Sequence, residues 1–340
     1  MDKIYDFSDC FVFPINDYTG RDRKEKIIFD GDTYLMKFRN SPKRQTSLNS
    51  PQTNNIFSEY IGCHIIDTMG FSVQETLLGT YRGEMVVVCK DFTYPGVYSA
   101  EFADLSNSFI SNSKLKPHPE LNSVLSCYEE RFGADASHPL RQHFWDLFII
   151  DSFLGNFDRH AGNWGFLVND KTGSVDVSPI YDCGSCLFPA LGEHALIEVL
   201  SDIRQIDARV YEYPLSSILD CGEKIRYFEF ISSLQNEECN AALLRVYPQI
   251  CLNKIFHVID NTPIISDIRK KFYKTMLTHR YEKILHHSYE KLISLNLDMQ
   301  EKNSGSLKDS LCCQIESASS RAAESQSSSS IKKKEAEPEI

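Results

Sequence analysis

The sequence predicts an α+β fold in two lobes: a small, strand-rich lobe with a single helix over residues 1–92, and a larger, mostly helical lobe over residues 93–300. Three observations predict it. Before residue 92 the apolar residues fall in short β-prone runs joined by Asp-Gly and Arg-Gly pairs, which close tight hairpins. Between those hairpins one stretch carries apolar residues at every fourth position, the spacing of a helix face. From Pro139 onward the apolar patterns are long and helical. A length of 340 residues and an apolar share of 42% are enough to bury two such cores.

Taken in order, Ile27–Phe38 (IIFDGDTYLMKF) is a hairpin turning at Asp30-Gly31. Asn54–Gly70 is the helix: Phe57, Ile61, Ile65 and Met69 share a face, Asn54 or Asn55 can cap its start, and Gly70 can end it. Gly79–Phe92 is a second hairpin, turning at Arg82-Gly83, with Met85–Val88 its most β-prone part. The first lobe thus reads as three strands, a helix and two strands. Residues 93–136 show no clear period. Leu140–Asn156 is apolar nearly all round, which marks a buried helix, with Pro139 at a natural first-turn position and Gly155 at a natural stop. A hairpin follows, Asn163–Asp170 and Ser174–Asp182 about a turn at Lys171–Gly173. The remainder reads as helical, with Ile265–Ile293 an amphipathic helix or helix pair. Residues 301–340 hold eleven Ser in forty positions and then KKKEAEPE. Such a segment cannot bury enough apolar surface to order itself, and a disordered tail is expected.

Composition excludes several classes of function. A net charge of −11 argues against direct nucleic-acid binding, because phosphate backbones reward basic surfaces. No apolar run reaches the roughly 20 residues of a membrane span, and the longest, Phe144–Ile150, carries Asp146. The start, MDKIYDFSDC, has no basic region followed by an apolar one, so a signal peptide is not expected and a cytoplasmic location is; delivery outside the cell by a route that needs no such signal stays compatible. Eleven Cys, an odd number without a ladder of spacings, fit free thiols. The C-x-x-C pair Cys183/Cys186 lacks both the strand-to-helix setting of a redox motif and the second pair of a zinc site. Cys312 and Cys313 fall in the tail and read as incidental.

The chemistry concentrates in GNFDRHAGNWGF (Gly155–Phe166), a polar loop directly after the most apolar run of the chain. Phosphoryl transfer needs a carboxylate to orient the attacking hydroxyl and oxygen ligands to hold Mg²⁺ across the phosphates. In protein kinases the base Asp and a metal-binding Asn lie five residues apart in one loop, and a second metal-binding Asp follows the next strand pair. Asp158 and Asn163 are five apart here, and Asp182 occupies the later place, followed by Cys183 and Gly184. The first lobe offers the complement: Lys37 ends a strand, and Glu59 lies on the helix beside Gly62, Cys63 and Ile66, where a carboxylate would want a cation. TGRDRKEK (Thr19–Lys26) is a basic turn able to sit over phosphates, through Gly20 and Lys24. Lys90, Asp91 and Phe92 fall where a hinge would present backbone groups to adenine. His160 fits either loop ordering or a phosphate contact, Arg159 fits a brace for the loop, and Trp164 and Phe166 fit core positions.

These residues resemble the HipA-like kinase family, the toxin-type serine/threonine kinases of bacteria. The resemblance is carried by the D-R-H-x-x-N loop (Asp158–Asn163), the P-I-Y-D run (Pro179–Asp182), the S-E-Y stretch (Ser58–Tyr60) and K-D-F (Lys90–Phe92), and covers about residues 15–295. It implies a bilobal protein-kinase-like fold, ATP and Mg²⁺, and a protein substrate with a Ser or Thr acceptor. It also implies Asp158 as base, Asn163 and Asp182 as metal ligands and Lys37 as the phosphate contact. An antitoxin-like partner, a toxin-type role or an effector role would follow the family. The chain looks like the short forms that lack an extra N-terminal subdomain, its phosphate loop is basic and poor in Gly, and Thr19 is the hydroxyl nearest the family's autophosphorylated Ser. Two other readings remain. A phosphoinositide-type lipid kinase also uses a D-R-x-x-x-N loop but should show a basic membrane-facing surface, and only Lys332–Lys334 offers one. A pseudokinase acting as a nucleotide-binding module would have lost Lys37, Asp158, Asn163 or Asp182, and all four are present.

Overall fold

A computed structural model describes residues 3–14, 23–39, 53–107 and 118–297. The strand-rich part is a six-stranded sheet in the order β1-β5-β6-β4-β3-β2. Its members are β1 (Tyr5–Asp6), β2 (Phe11–Val12), β3 (Lys24–Phe29), β4 (Asp32–Phe38), β5 (Thr76–Tyr81) and β6 (Glu84–Lys90). Both expected hairpins form. Asp30 and Gly31 have φ of 51° and 85°, and Arg82 and Gly83 have 50° and 84°, the paired left-handed residues that match strand twist in a two-residue turn. The two-residue strands β1 and β2 were not legible in advance; β1 joins parallel to β5, and β2 antiparallel to β3.

Alternation along β4 decides what each face of the sheet does. Tyr34, Met36 and Phe38 enter a core with Phe7, Ile27, Tyr81, Val86 and Val88. Lys37 therefore faces the other side, the side of α1 (Asn55–Thr68). That helix is buried on nearly every side, including Ser58, Glu59 and Gly62 as well as the expected apolar face. Gly62 is required by contact: a Cβ there would lie 2.8 Å from the Cys183 Cβ.

The helical part departs from expectation in three places. The helix expected from Leu140 belongs to α3 (Leu121–Leu154), which is interrupted at Gly133 (φ 76°, ψ 168°) and resumes ahead of Pro139. Pro139 is accommodated near the start of that second segment, where a missing N–H costs least. Gly155 ends α3 in the left-handed conformation, φ 68°, as the sequence suggests. Residues 93–136 contribute β7 (Val97–Glu101), which pairs with the expected hairpin β8 (Gly165–Asn169) and β9 (Val175–Val177) in a three-stranded sheet. β7 and β8 meet so closely that a Cβ on Gly165 would sit 2.2 Å from the Ala100 carbonyl oxygen. The region read as wholly helical also contains a hairpin, β10 (Leu215–Asp220) and β11 (Glu223–Arg226), turning at Cys221-Gly222 with φ of 53° and 87°.

Among the described residues the further α-helices are α2 (Phe102–Asn107), α4 (Glu193–Ser201), α5 (Ile203–Tyr211), α6 (Tyr227–Ser233), α7 (Glu237–Val246), α8 (Leu252–Asn261) and α9 (Asp267–Arg280). A π-helical turn at Tyr281–His286 continues α9. Among the described residues no helix is long and apolar enough to cross a membrane. The chain divides into a compact unit of residues 1–289 and a second unit of residues 290–340. The expected tail, residues 301–340, lies outside the described residues.

Candidate active site

The site is built on Lys37. Its ammonium lies 3.0 Å from Glu59 Oε1 and 3.1 Å from Asp182 Oδ1, joining β4, α1 and the turn after β9 in one cluster. Glu59 is the deeper carboxylate, with 2% of its side chain exposed against 32% for Asp182. Burial pushes Glu59 up to about 6 in spite of Lys37. Burial also works against ionised Asp182, but Lys37 and then Lys24 outweigh it and hold that carboxyl at about 2. Burial works against charge on Lys37 too, and the two carboxylates more than restore it, holding Lys37 well above the usual lysine range. Near neutral pH the cluster is one cation shared between two anions. Asp182 takes a left-handed backbone, φ 59°, which turns the chain sharply at that carboxylate.

The polar loop after α3 is held by its own backbone and one buried guanidinium. The Asp158 carbonyl accepts from the His160 N–H and from Asn163 Nδ2, both at 2.8 Å. Asn163 thereby turns its amide oxygen the opposite way. His160 Nδ1 accepts the Gly162 N–H at 3.1 Å, so this ring orders the loop. Arg159, 4% exposed, grips Asp151 with two nitrogens at 3.0 and 3.1 Å and donates to the carbonyls of Asn163 and Tyr181. One side chain thus ties the Asp158 loop to the residue before Asp182. Asn156 Nδ2 completes the brace on Asp151 at 2.9 Å, and Tyr227 donates to the Asn156 carbonyl. Burial raises Asp151 and Arg159 counters it. Replacing Arg159 by alanine leaves that carboxyl buried and unpaired; we expect a loss of about 3–5 kcal/mol of stability, measured by denaturant unfolding, and a loss under 1 kcal/mol would refute the brace.

The other expected residues divide. Lys24 stands opposite Lys37 in the β3–β4 register, and its charge reaches Asp182. Lys90 points away from this cluster, to Asp32 at 2.6 Å and Glu75 at 3.7 Å. Its N–H bonds the Glu75 carbonyl and its carbonyl accepts Gln74 Nε2, while the Asp91 N–H bonds the Thr33 carbonyl. The backbone donors of Lys90 and Asp91 are therefore spent within the sheet. The Asp91 carboxylate holds Thr93 and Lys26. Phe92 packs on Tyr181, ring centres 5.7 Å apart. Gly20 and Thr19 lie outside the described residues. Sequence reasoning did not single out Asp151, although a carboxylate in the most apolar run of the chain is itself a signal of a buried partner. Nor did it single out Tyr181 or Glu101, whose carboxylate oxygen would stand 2.9 Å from a Cβ on Gly162.

A strand lysine bound to a helix glutamate, with an aspartate after a β-hairpin and a braced Asp/Asn loop, defines the protein-kinase class of site. The comparisons agree. The HipA-like C-terminal domain family matches residues 19–210. The serine/threonine-protein kinase CtkA of Helicobacter pylori (strain J99) is 40% identical over 301 residues, covering 88% of this chain and 92% of that protein. The crystal structure of a Helicobacter pylori proinflammatory kinase CtkA superposes with a TM-score of 0.80 at 40% identity, over 86% of this chain and 99% of that one. The HipA protein of Shewanella oneidensis MR-1, solved with HipB and operator DNA, gives a TM-score of 0.49 at 15% identity over 82% of this chain and 69% of that one. The chain belongs to the HipA-like family, and within it to the serine/threonine-protein kinases.

Proposed function

We propose that the protein transfers the γ-phosphoryl group of Mg·ATP to a Ser or Thr hydroxyl of a protein. The observation that carries this reading is the three-way contact of Lys37 with Glu59 and Asp182. In this reading Glu59 holds Lys37 in place for the nucleotide phosphates, and Lys24 adds a second cation nearby. Asp158 accepts the proton of the attacking hydroxyl, and His160 keeps the loop in shape. Lys90 ends β6 and Asp91 follows it at the hinge, leaving Phe92, packed against Tyr181, beside the adenine. The lobe boundary falls after Phe92.

The donor set fits a magnesium ion. Mg²⁺ takes oxygen ligands, usually one or two from protein with the rest from phosphates and water. The ionised Asp182 carboxylate and the Asn163 amide oxygen, turned away from Asp158, would supply two. Bound Mg²⁺ would neutralise charge on the phosphate oxygens. The protein's own part is to keep Asp182 ionised and Lys37 positioned. ATP affinity measured by titration calorimetry should tighten on adding Mg²⁺ in the wild type and stay flat in Asp182→Asn; equal gains in both would remove Asp182 as a metal ligand.

An effector-type role is preferred to a toxin paired with an antitoxin, because the relative at 40% identity is described as a proinflammatory kinase. Free thiols throughout the described residues suit a reducing compartment such as the cytoplasm.

A further inference from the structure

Among the described residues no side chain hydrogen-bonds the Asp158 carboxylate. Its position is therefore set by the backbone that carries it. The two residues ahead of it, Asn156 and Phe157, are held by groups that take no part in the chemistry assigned above. Asn156 is 0% exposed. Its Oδ1 accepts the Asp158 N–H at 3.0 Å, the two-residue reach by which an Asn side chain shapes a turn. Its Nδ2 donates to Asp151 at 2.9 Å, and its own N–H bonds the Asp151 carbonyl at 3.0 Å.

Two hydroxyls hold the carbonyls of the same segment. The Tyr227 hydroxyl donates to the Asn156 carbonyl at 2.8 Å, and the Ser217 hydroxyl donates to the Phe157 carbonyl at 2.9 Å. Both donors belong to one unit. Ser217 lies in β10, and Tyr227 opens α6 directly after β11, with Leu215 paired to Arg226 across the hairpin. Tyr227 and Ser217 are buried. Burial, and then the charge of Asp151, raise the Tyr227 hydroxyl, so it keeps the proton that it donates. Loss of either hydroxyl leaves a carbonyl without its partner, and the chain shifts to find another. The metal side of the loop has its own anchor: Arg159 donates to the carbonyls of Asn163 and Tyr181, and neither bond involves Tyr227 or Ser217.

We propose that Tyr227 and Ser217, acting through Asn156 and Phe157, are positioning residues for phosphoryl transfer: they set where the Asp158 carboxylate meets the acceptor hydroxyl and leave the nucleotide contacts alone. The inference rests on Asp158 being the base. It makes the β10–β11 hairpin and the start of α6 the support of the reacting carboxylate, reached from Tyr227 through Asn156 and from Ser217 through Phe157. Displacing a reacting group by about 1 Å costs up to about a hundredfold in rate, so small shifts of this segment are read directly in the transfer step.

The test uses the full chain, γ-labelled Mg·ATP and the protein of a heat-treated cell lysate as acceptor, under single-turnover conditions. Tyr227→Phe and Ser217→Ala each remove one hydroxyl and little else. They lie in different elements, so if one fails to fold the other still decides. Each is made alone and together with Asp158→Ala, and affinity for a non-hydrolysable Mg·ATP analogue is measured on the same preparations. The expected result is transfer slowed about tenfold in each single variant with affinity unchanged. Added to Asp158→Ala, either change should cost nothing further, because it acts only through that carboxylate. Wild-type rates in both variants, a loss of rate matched by a loss of affinity, or an equal further loss on top of Asp158→Ala would overturn the proposal. Asp158→Ala that transfers as fast as wild type would instead remove the base reading itself.

Discussion

Asp158→Ala is expected to slow phosphoryl transfer by about a hundredfold to ten-thousandfold, the range for loss of a general base, with Mg·ATP affinity nearly unchanged. The separation of the two effects follows from how the loop is held. The Asp158 carbonyl, which any residue supplies, anchors His160 and Asn163. The loop is further fixed by Arg159 through Asp151, Asn163 and Tyr181. Removing the Asp158 carboxylate therefore leaves Asn163 and Asp182 in place. Single-turnover transfer and equilibrium nucleotide binding, measured on the same preparations, check it. A variant that transfers at the wild-type rate would require another base, and one that no longer binds nucleotide would show the loop to be less independent of this side chain than its hydrogen bonds imply.

Lys37→Met is expected to cost activity and stability together, with a stability loss that grows with pH. Lys37 is the cation between two carboxylates, one of them nearly inaccessible. Glu59 already binds its proton more tightly in the folded state, at about 6 against an ordinary 4.5. Between those values the unfolded chain has released a proton that the folded chain keeps, so stability falls as pH rises through the window. Without Lys37 the folded value climbs further and the window widens upward. Asp182 works in the other sense: held at about 2, it adds stability that is present above its ordinary 3.8 and lost as pH falls towards 2. Removal of Lys37 shrinks that contribution, although Lys24 keeps part of it. Melting temperatures of wild type and variant at pH 5 and pH 8 decide the matter: the gap should be wider at pH 8. A gap of constant size would mean that Glu59 does not depend on Lys37 for its charge.

How much of this was legible in the sequence depended on whether the controlling contact was local. The β3–β4 and β5–β6 hairpins were readable because Asp30-Gly31 and Arg82-Gly83 fix the turn from within. α1 was readable from its spacing, and the union of Lys37 with Glu59 from the cost of burying a carboxylate alone. What escaped was set at a distance. β7, VYSAE, has little burial pattern of its own and exists as a strand because β8 lies beside it. The start of α3 escaped because Pro139 looked like a beginning, whereas the break is at Gly133. The β10–β11 hairpin carries a local signal, Asp-Cys-Gly-Glu, but the helical patterns on either side mask it. In the site, the roles of Lys90 and Asp91 could not be separated by sequence, since their backbone partners Glu75 and Thr33 are brought in by the sheet. Arg159 shows the converse: its bracing role was visible in the loop, but its partner Asp151, eight residues earlier, became evident only with the helix and loop folded together.

As proposed, the Lys37–Glu59–Asp182 cluster and the Asp158 loop move a phosphoryl group onto a protein hydroxyl. The most direct measurement incubates the chain with γ-labelled Mg·ATP and a cell lysate, separates protein from lipid, and identifies the labelled amino acid after hydrolysis, for wild type beside Asp158→Ala. Phosphoserine or phosphothreonine is expected in the protein fraction, and its absence with the variant. Label confined to the lipid fraction, or equal label with wild type and variant, would contradict it.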